Sequence, residues 1–125
     1  MHSNFSDGSD DPEVLAASAK KIGLSAIALT DHDTTDSHGR MAEACAREGI
    51  ELIAGVEVSL TDVIATKTRD DGSVEQGVSV HVLAYFVPVE PEHPFQQLLV
   101  KLRNDRRNRN IKLVELLQSH GFTKL

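Results

Sequence analysis

The sequence predicts an α/β fold built on a parallel sheet. Three observations carry this expectation. Two consecutive units read helix, glycine stop, apolar strand, acid. Asp31 lies eight residues after Gly23 and Glu57 eight after Gly49, a 26-residue period. The segment Leu24 to Thr30 is apolar on both faces, as in a covered parallel strand. A repeat of this kind sends both acids to one rim of the sheet.

Each element has a local reason. Residues 2–10, His-Ser-Asn-Phe-Ser-Asp-Gly-Ser-Asp, form a polar loop. Asp11-Pro12-Glu13 starts a helix, with Asp as N-cap, Pro at the first helical position and Glu in the first turn. Leu15, Ala19 and Ile22 recur at helical spacing and give it one apolar face, and Gly23 stops it. A strand follows over Leu24 to Thr30. A second helix runs from about Asp36 to Glu48 and stops at Gly49. Ile50 to Ala54 is the next strand, continuing through Gly55 and Val56 to Glu57.

Residues 58–87 read as a long excursion between strands. Asp71-Gly72 marks a turn between Val63-Ile64-Ala65 and the run Val78 to Val87, in which His81 shares a face with Ser79, Leu83 and Tyr85. Pro88, Pro91 and Pro94 form a linker. Phe95 to Ser119 is one long helix or two, ended by His120-Gly121.

Composition narrows the function classes. The chain of 125 residues is 40% apolar, enough for a core. Aromatics make up 4% with no Trp, so stacking platforms for bare bases are not expected. The single cysteine, Cys45, excludes an internal disulfide framework and suits a reducing, cytoplasmic setting. On its helix it reads as a small buried hydrophobe. The first twenty residues lack the apolar run of a signal peptide, and no stretch approaches a membrane span. Charge is unevenly spread. Residues 1–90 hold 16 acidic and 6 basic side chains, net −10, and residues 91–125 hold 3 acidic and 7 basic, net +4. Such a chain is suited to holding cations in one part and phosphates near the other.

The chemistry gathers around Thr30-Asp31-His32-Asp33, where the first apolar strand ends. Strand ends in α/β proteins face a cleft while the scaffold holds them. Candidate ligands are His2, Asp7, His32, Glu57 and His81. Mixed imidazole and carboxylate sets suit zinc, manganese or iron, and suit magnesium less. A cluster of two or three ions makes a nucleophile of bound water and clamps a phosphoryl group. Glu57 has two oxygens with which to bridge ions. Asp31 and Asp33 flank His32 and are placed to hold its free ring nitrogen. His38, His93 and His120 sit in helices or at their edges and are read as structural. On the last helix Arg103, Arg107 and Asn110 fall on one face, where guanidinium forks hold phosphate well. A nucleic-acid-binding module acting through residues 101–112 is a weaker reading, because the acidic remainder opposes it.

Four stretches carry a resemblance: His2-Ser3-Asn4-Phe5-Ser6-Asp7-Gly8-Ser9, Ala28-Leu29-Thr30-Asp31-His32-Asp33-Thr34, Gly55-Val56-Glu57-Val58-Ser59 and His81-Val82-Leu83-Ala84-Tyr85. In order and spacing they are similar to the successive motifs of the polymerase-and-histidinol-phosphatase (PHP) domain. Within that family the chain looks most like the small metal-dependent phosphoesterases. Some of these act on 3′,5′-nucleotide bisphosphates, and others trim short RNA from the 5′ end. The resemblance implies part of a distorted (β/α)7 barrel over residues 1–90 and the start of a helical insertion over residues 91–125. It implies a site of two or three divalent metal ions. His2 would be the second histidine of an opening pair, Asp7 the loop ligand, His32 the next strand-end ligand, Glu57 the bridging carboxylate and His81 a further histidine ligand. Arg103 and Arg107 would face the phosphate of a phosphorylated small molecule, nucleotide or short RNA. The family's first strand and first histidine are expected before residue 2, and its later histidine and Asp-x-His motif after residue 125. The resemblance therefore implies little or no turnover by these residues alone. The alternative is a non-catalytic PHP-fold scaffold with a degraded metal site.

Overall fold

The fold is taken from a computed structural model and is described for residues 1–122, with side chains outside 62–65 and 75–76. The elements run α1 (Pro12–Lys21), β1 (Ala26–Leu29), α2 (His38–Glu48), β2 (Glu51–Thr68), β3 (Val74–Tyr85) and α3 (Pro94–Ser119). The α/β expectation holds at this level: three helices accompany a three-stranded sheet of order β1-β2-β3. β1 and β2 are parallel, with Ala26 opposite Glu51 and Leu29 opposite Ala54.

α1 begins as its sequence dictates, with Asp11 in extended conformation at the N-cap and Pro12 behind it. The Asp11 side chain does not cap the helix. It accepts instead from Asn4 Nδ2 at 2.8 Å and pairs with Arg40 at 3.2 Å. The apolar face differs from the expected one. Pro12, Ala16 and Ala19 are buried, while Ile22 is 73% exposed. The buried stripe runs through Pro12, Ala16 and Ala19, so Ile22, whose N–H still donates to Ser18 O at 3.2 Å, falls on its open flank. The small alanines let α1 lie close against α2 over β1. This first core holds Leu29, Met41 and Cys45 at 2% exposure or less. Burial pushes the Cys45 thiol pKa up, which suits the inert hydrophobe expected from its helix face.

Residues 58–87 form no loose excursion. β2 continues for 18 residues and returns antiparallel as β3, with Ser59 opposite His81 and Thr68 opposite Val74. The turn falls at the expected Asp71-Gly72. Arg69 N donates to Ser73 O at 2.9 Å, and the Asp71 carboxylate accepts from the Ser73 amide and hydroxyl. α3 is a single helix of 26 residues. His93 caps it by accepting from Phe95 N at 3.1 Å, a structural task for a histidine read as structural. Leu99 of α3 is 1% exposed against Val56 and Val58, forming a second core with Phe95 and Leu102. This contact lays α3 across the sheet beside the end of β1.

Residue 1 lies ahead of the expected loop of residues 2–10. Thr30 N donates to Met1 O at 2.8 Å and the Met1 amino group donates to Ala28 O at 3.2 Å, so the chain enters alongside β1. Gly55 lets three strands meet at the same level. A Cβ there would lie 3.0 Å from Leu29 O and 3.1 Å from Ala84 O, so backbone on both sides would have to give by a few tenths of an ångström.

Candidate metal centre

Strand register builds the centre. The parallel offset between β1 and β2 is 25 residues, and it persists past the end of β1 as an isolated bridge between His32 and Glu57. Glu57 N donates to Asp31 O at 3.1 Å and Asp33 N donates to Glu57 O at 3.0 Å. His32 and Glu57 therefore stand side by side. The 26-residue sequence repeat had matched Asp31 with Glu57 and aimed both acids at one rim. That expectation is corrected, because side chains alternate along a strand and a one-residue shift sends Asp31 the other way. Asp31 is fully buried beneath the site.

All five expected ligand residues meet at this strand end. His2 Nε2 lies 3.0 Å from Glu57 Oε2, and His81 Nδ1 lies 2.7 Å from Glu57 Oε1. Asp7 reaches His2 Nδ1 at 3.1 Å and His32 Nε2 at 3.4 Å. The His32 ring centre is 4.8 Å from that of His2 and 5.1 Å from that of His81. His2, His32 and Glu57 each offer one donor atom within 4.8 Å of the other two. The Glu57 carboxyl is subject to burial, which alone would raise its pKa. The hydrogen bond from His81 and the fields of His32, His2 and His81 outweigh this and hold it below the usual carboxylate range.

The donor set fits a divalent cation. His32 Nδ1 is buried and has no hydrogen-bond partner, and its nearest carboxylate oxygen, on Glu57, is 3.8 Å away. Buried imidazole nitrogens rarely go unsatisfied, and this one looks into a group of oxygen and nitrogen donors. Three imidazoles with two carboxylates match the preference of zinc, manganese and iron.

Asp31 and Asp33 do not hold the His32 ring. The Asp31 carboxylate accepts four hydrogen bonds: from Ser3 N at 2.6 Å, Ser3 Oγ at 2.7 Å, Ser6 Oγ at 2.8 Å and Ser37 Oγ at 2.6 Å. Burial acts to raise its pKa, and these donors overcome burial, so the net shift is downward. Asp33, 2% exposed with a left-handed φ of 53°, accepts from Ser59 N at 2.8 Å and from Arg106 Nη2 at 2.5 Å.

The arginines are placed differently from one another. Arg103 donates to Thr34 Oγ1 at 2.8 Å and pairs with Asp36. Arg107 lines a groove of about 480 Å³ with Arg103, Asn110, Ile111 and Val114. Arg106, not picked out from the sequence, has the more buried partner, since the side chain of Asp33 is 3% exposed where that of Asp36, paired with Arg103, is 57% exposed. It binds Asp33 and Ser59 and lines an open cleft of about 610 Å³ together with Asp7, His32, His81 and Arg109. A signal for it existed: Leu99, Leu102 and Arg106 follow i, i+3, i+7, so the face that packs on the sheet carries Arg106 onto the strand ends.

Fold and site together give an α/β domain whose strand end carries a His2, His32 and Glu57 cluster that could hold a metal ion. The PHP domain family model matches residues 1–124, and the chain belongs to that family. It is 33% identical over 110 residues to a phosphoribosyl 1,2-cyclic phosphate 1,2-diphosphodiesterase of Eggerthella lenta, a match covering 88% of this chain and 37% of that protein. It is 28% identical over 115 residues to the 5′-3′ exoribonuclease Rnm of Escherichia coli, covering 90% of this chain and 34% of that one. Among solved structures it superposes on a metal-dependent phosphoesterase from Bifidobacterium adolescentis with a TM-score of 0.77 and 32% identity, covering 98% of this chain and 38% of that one. The chain thus spans little more than a third of the length of these relatives. Among the described residues, no helix is long and apolar enough to cross a membrane.

Proposed function

We propose that these residues form the metal- and phosphate-binding part of a phosphoesterase that cleaves a phosphomonoester or phosphodiester of a nucleotide or short RNA. The observation that carries this reading is the convergence of His2, Asp7, His32, Glu57 and His81 at one strand end, around an imidazole nitrogen with no partner. Those five residues would hold two or three divalent ions, manganese, zinc or iron in preference to magnesium. When bound, such ions supply positive charge for a phosphoryl oxygen and acidify water to near neutral pH.

The protein's own groups do the rest. Glu57, with its pKa held down, is a carboxylate at neutral pH and offers both oxygens to the centre. Arg103, Arg107 and Arg106 present guanidinium groups at the mouth, where a phosphate would meet them. Residues 1–90 would supply part of a distorted (β/α)7 barrel, and residues 91–125 the start of a helical subdomain over the site. Two features support the partial barrel. β3 lies at the edge of the sheet with Val80, Val82, Leu83 and Tyr85 exposed, and the match covers only 37% of the diphosphodiesterase relative.

Metal analysis of the purified chain after loading with manganese tests the reading. About two or three ions per chain, lost on Glu57→Gln, supports it, and none supports the alternative of a non-catalytic scaffold. Turnover of a nitrophenyl phosphodiester with manganese is expected to be near background for these residues alone. Brisk turnover would show that the site is complete without further chain.

A further inference from the structure

We infer that Asp31 is a positioning residue that sets the loop bearing His2 and Asp7, and thereby tunes metal affinity without touching metal. This rests on the proposed metal centre and goes one step beyond it.

The argument starts from what the carboxylate does. Asp31 is fully buried, sits next to His32 in sequence and faces away from the donor cluster. A buried carboxylate is costly unless its oxygens are met by donors. Three of its four donors come from one short stretch: the Ser3 amide, the Ser3 hydroxyl and the Ser6 hydroxyl. Ser3 follows His2, and Ser6 precedes Asp7. The fourth donor, Ser37, stands just before α2. One carboxylate therefore joins the ligand loop, the strand end carrying His32 and the start of a helix.

The loop has little freedom to settle another way. Ser6 N and Gly8 N both donate to Ser3 O, at 3.1 and 3.0 Å. On its outer side the Arg40 guanidinium lies 5.6 Å from the Phe5 ring centre while pairing with Asp11 and Glu13. The inner fastening is Asp31. Without its charge the serine hydroxyls lose their strongest acceptor, and His2 and Asp7 lose their fixed approach to Glu57 and His32.

The test is manganese binding to the 125-residue chain, by calorimetry and by the electron paramagnetic resonance signal of free manganese. Asp31→Asn and, as the milder change, Ser3→Ala are expected to weaken binding about tenfold or more. Cys45→Ala serves as the control, since it cuts stability in the core behind α2 and is expected to keep manganese affinity. In a background lacking the loop ligands (His2→Ala with Asp7→Ala), Asp31→Asn is expected to cost nothing further. Equal affinity in wild type and both single variants overturns the inference, as does the same loss in Cys45→Ala. A full additional loss in the ligand-free background also overturns it, because Asp31 would then act on His32 directly. If wild type itself binds no manganese, the metal reading fails instead, which is a separate result.

Discussion

Arg106 of α3 donates to Asp33 at 2.5 Å, joining the long helix to the residue that follows His32. The side chain of Asp33 is 3% exposed and that of Arg106 is 36% exposed, so the pair is buried on the acid's side only. Removing the guanidinium leaves a buried carboxylate with the Ser59 amide as its remaining described donor. Arg106→Ala is therefore expected to destabilise the chain by about 1–3 kcal/mol, toward the lower end because water screens the arginine. Arg107→Ala, at an exposed position, is expected to stay within about 0.5 kcal/mol of wild type. Urea unfolding of the two variants checks the difference, and equal stability would deny Arg106 its fastening role.

His38 makes stability depend on pH. Its ring is 5% exposed at the start of α2, with Nε2 donating to the Leu29 carbonyl at 3.2 Å and Nδ1 without a partner. Burial pushes its pKa down, against smaller opposing effects from the Leu29 hydrogen bond and Asp31. Below the ordinary histidine value of about 6.5 the unfolded chain takes up a proton that the folded chain refuses. Stability from this residue is thus complete above about pH 6.5 and declines as pH falls toward the lowered folded value. Urea unfolding between about pH 7.5 and 5.5 in chelator, compared with His38→Gln, is expected to show a shallower pH slope in the variant. Parallel slopes would assign the effect to other groups.

Legibility in the sequence followed how local each signal was. Helix starts, glycine stops and the turn at Asp71-Gly72 depend on a few neighbouring residues and were readable, but side-chain capping was not, since Asp11 turns to Asn4 and Arg40 while His93 caps α3. The ligand types were readable because imidazole and carboxylate side chains at a strand end are few. Register was not readable: a 26-residue repeat and a 25-residue offset look alike in sequence, and only backbone pairing shows that His32, and not Asp31, stands beside Glu57. Arg106 was missed because several spacings on a basic helix are equally amphipathic, and the packing of Leu99 selects one. Ile22 failed for a related reason, since two stripes share Ala19 and packing chose the one through Pro12 and Ala16.

Gly8 offers a steric test of the ligand loop. A Cβ on it would lie 2.3 Å from His2 O and 2.9 Å from Ser3 O, both backbone atoms that cannot swing aside. Gly8→Ala is expected to cost about 1–3 kcal/mol and to displace the loop between His2 and Asp7. Gly39→Ala, where a Cβ meets no atom within 4 Å, is the matched control and is expected to be neutral or slightly stabilising. Thermal melts check the first part. Manganese titration checks the second, where Gly8→Ala but not Gly39→Ala is expected to bind more weakly.

A cation that binds the folded chain alone must raise its melting temperature. The donors come from residue 2, residue 7, the end of β1, β2 and β3, so unfolding scatters them and destroys the site. At about a hundredfold excess over the dissociation constant, one such ion stabilises the folded state by roughly 2.7 kcal/mol. In a chain of this size that corresponds to a rise of several degrees, on the order of 5–15 °C. The expected order is manganese or zinc above magnesium, because imidazole donors favour the former. Glu57→Gln is expected to abolish most of the rise, since Glu57 contacts His2 and His81 and pairs with His32. Differential scanning fluorimetry with each ion and with chelator measures it. An identical melting temperature in manganese and in chelator would mean that these five side chains hold no metal in the folded chain.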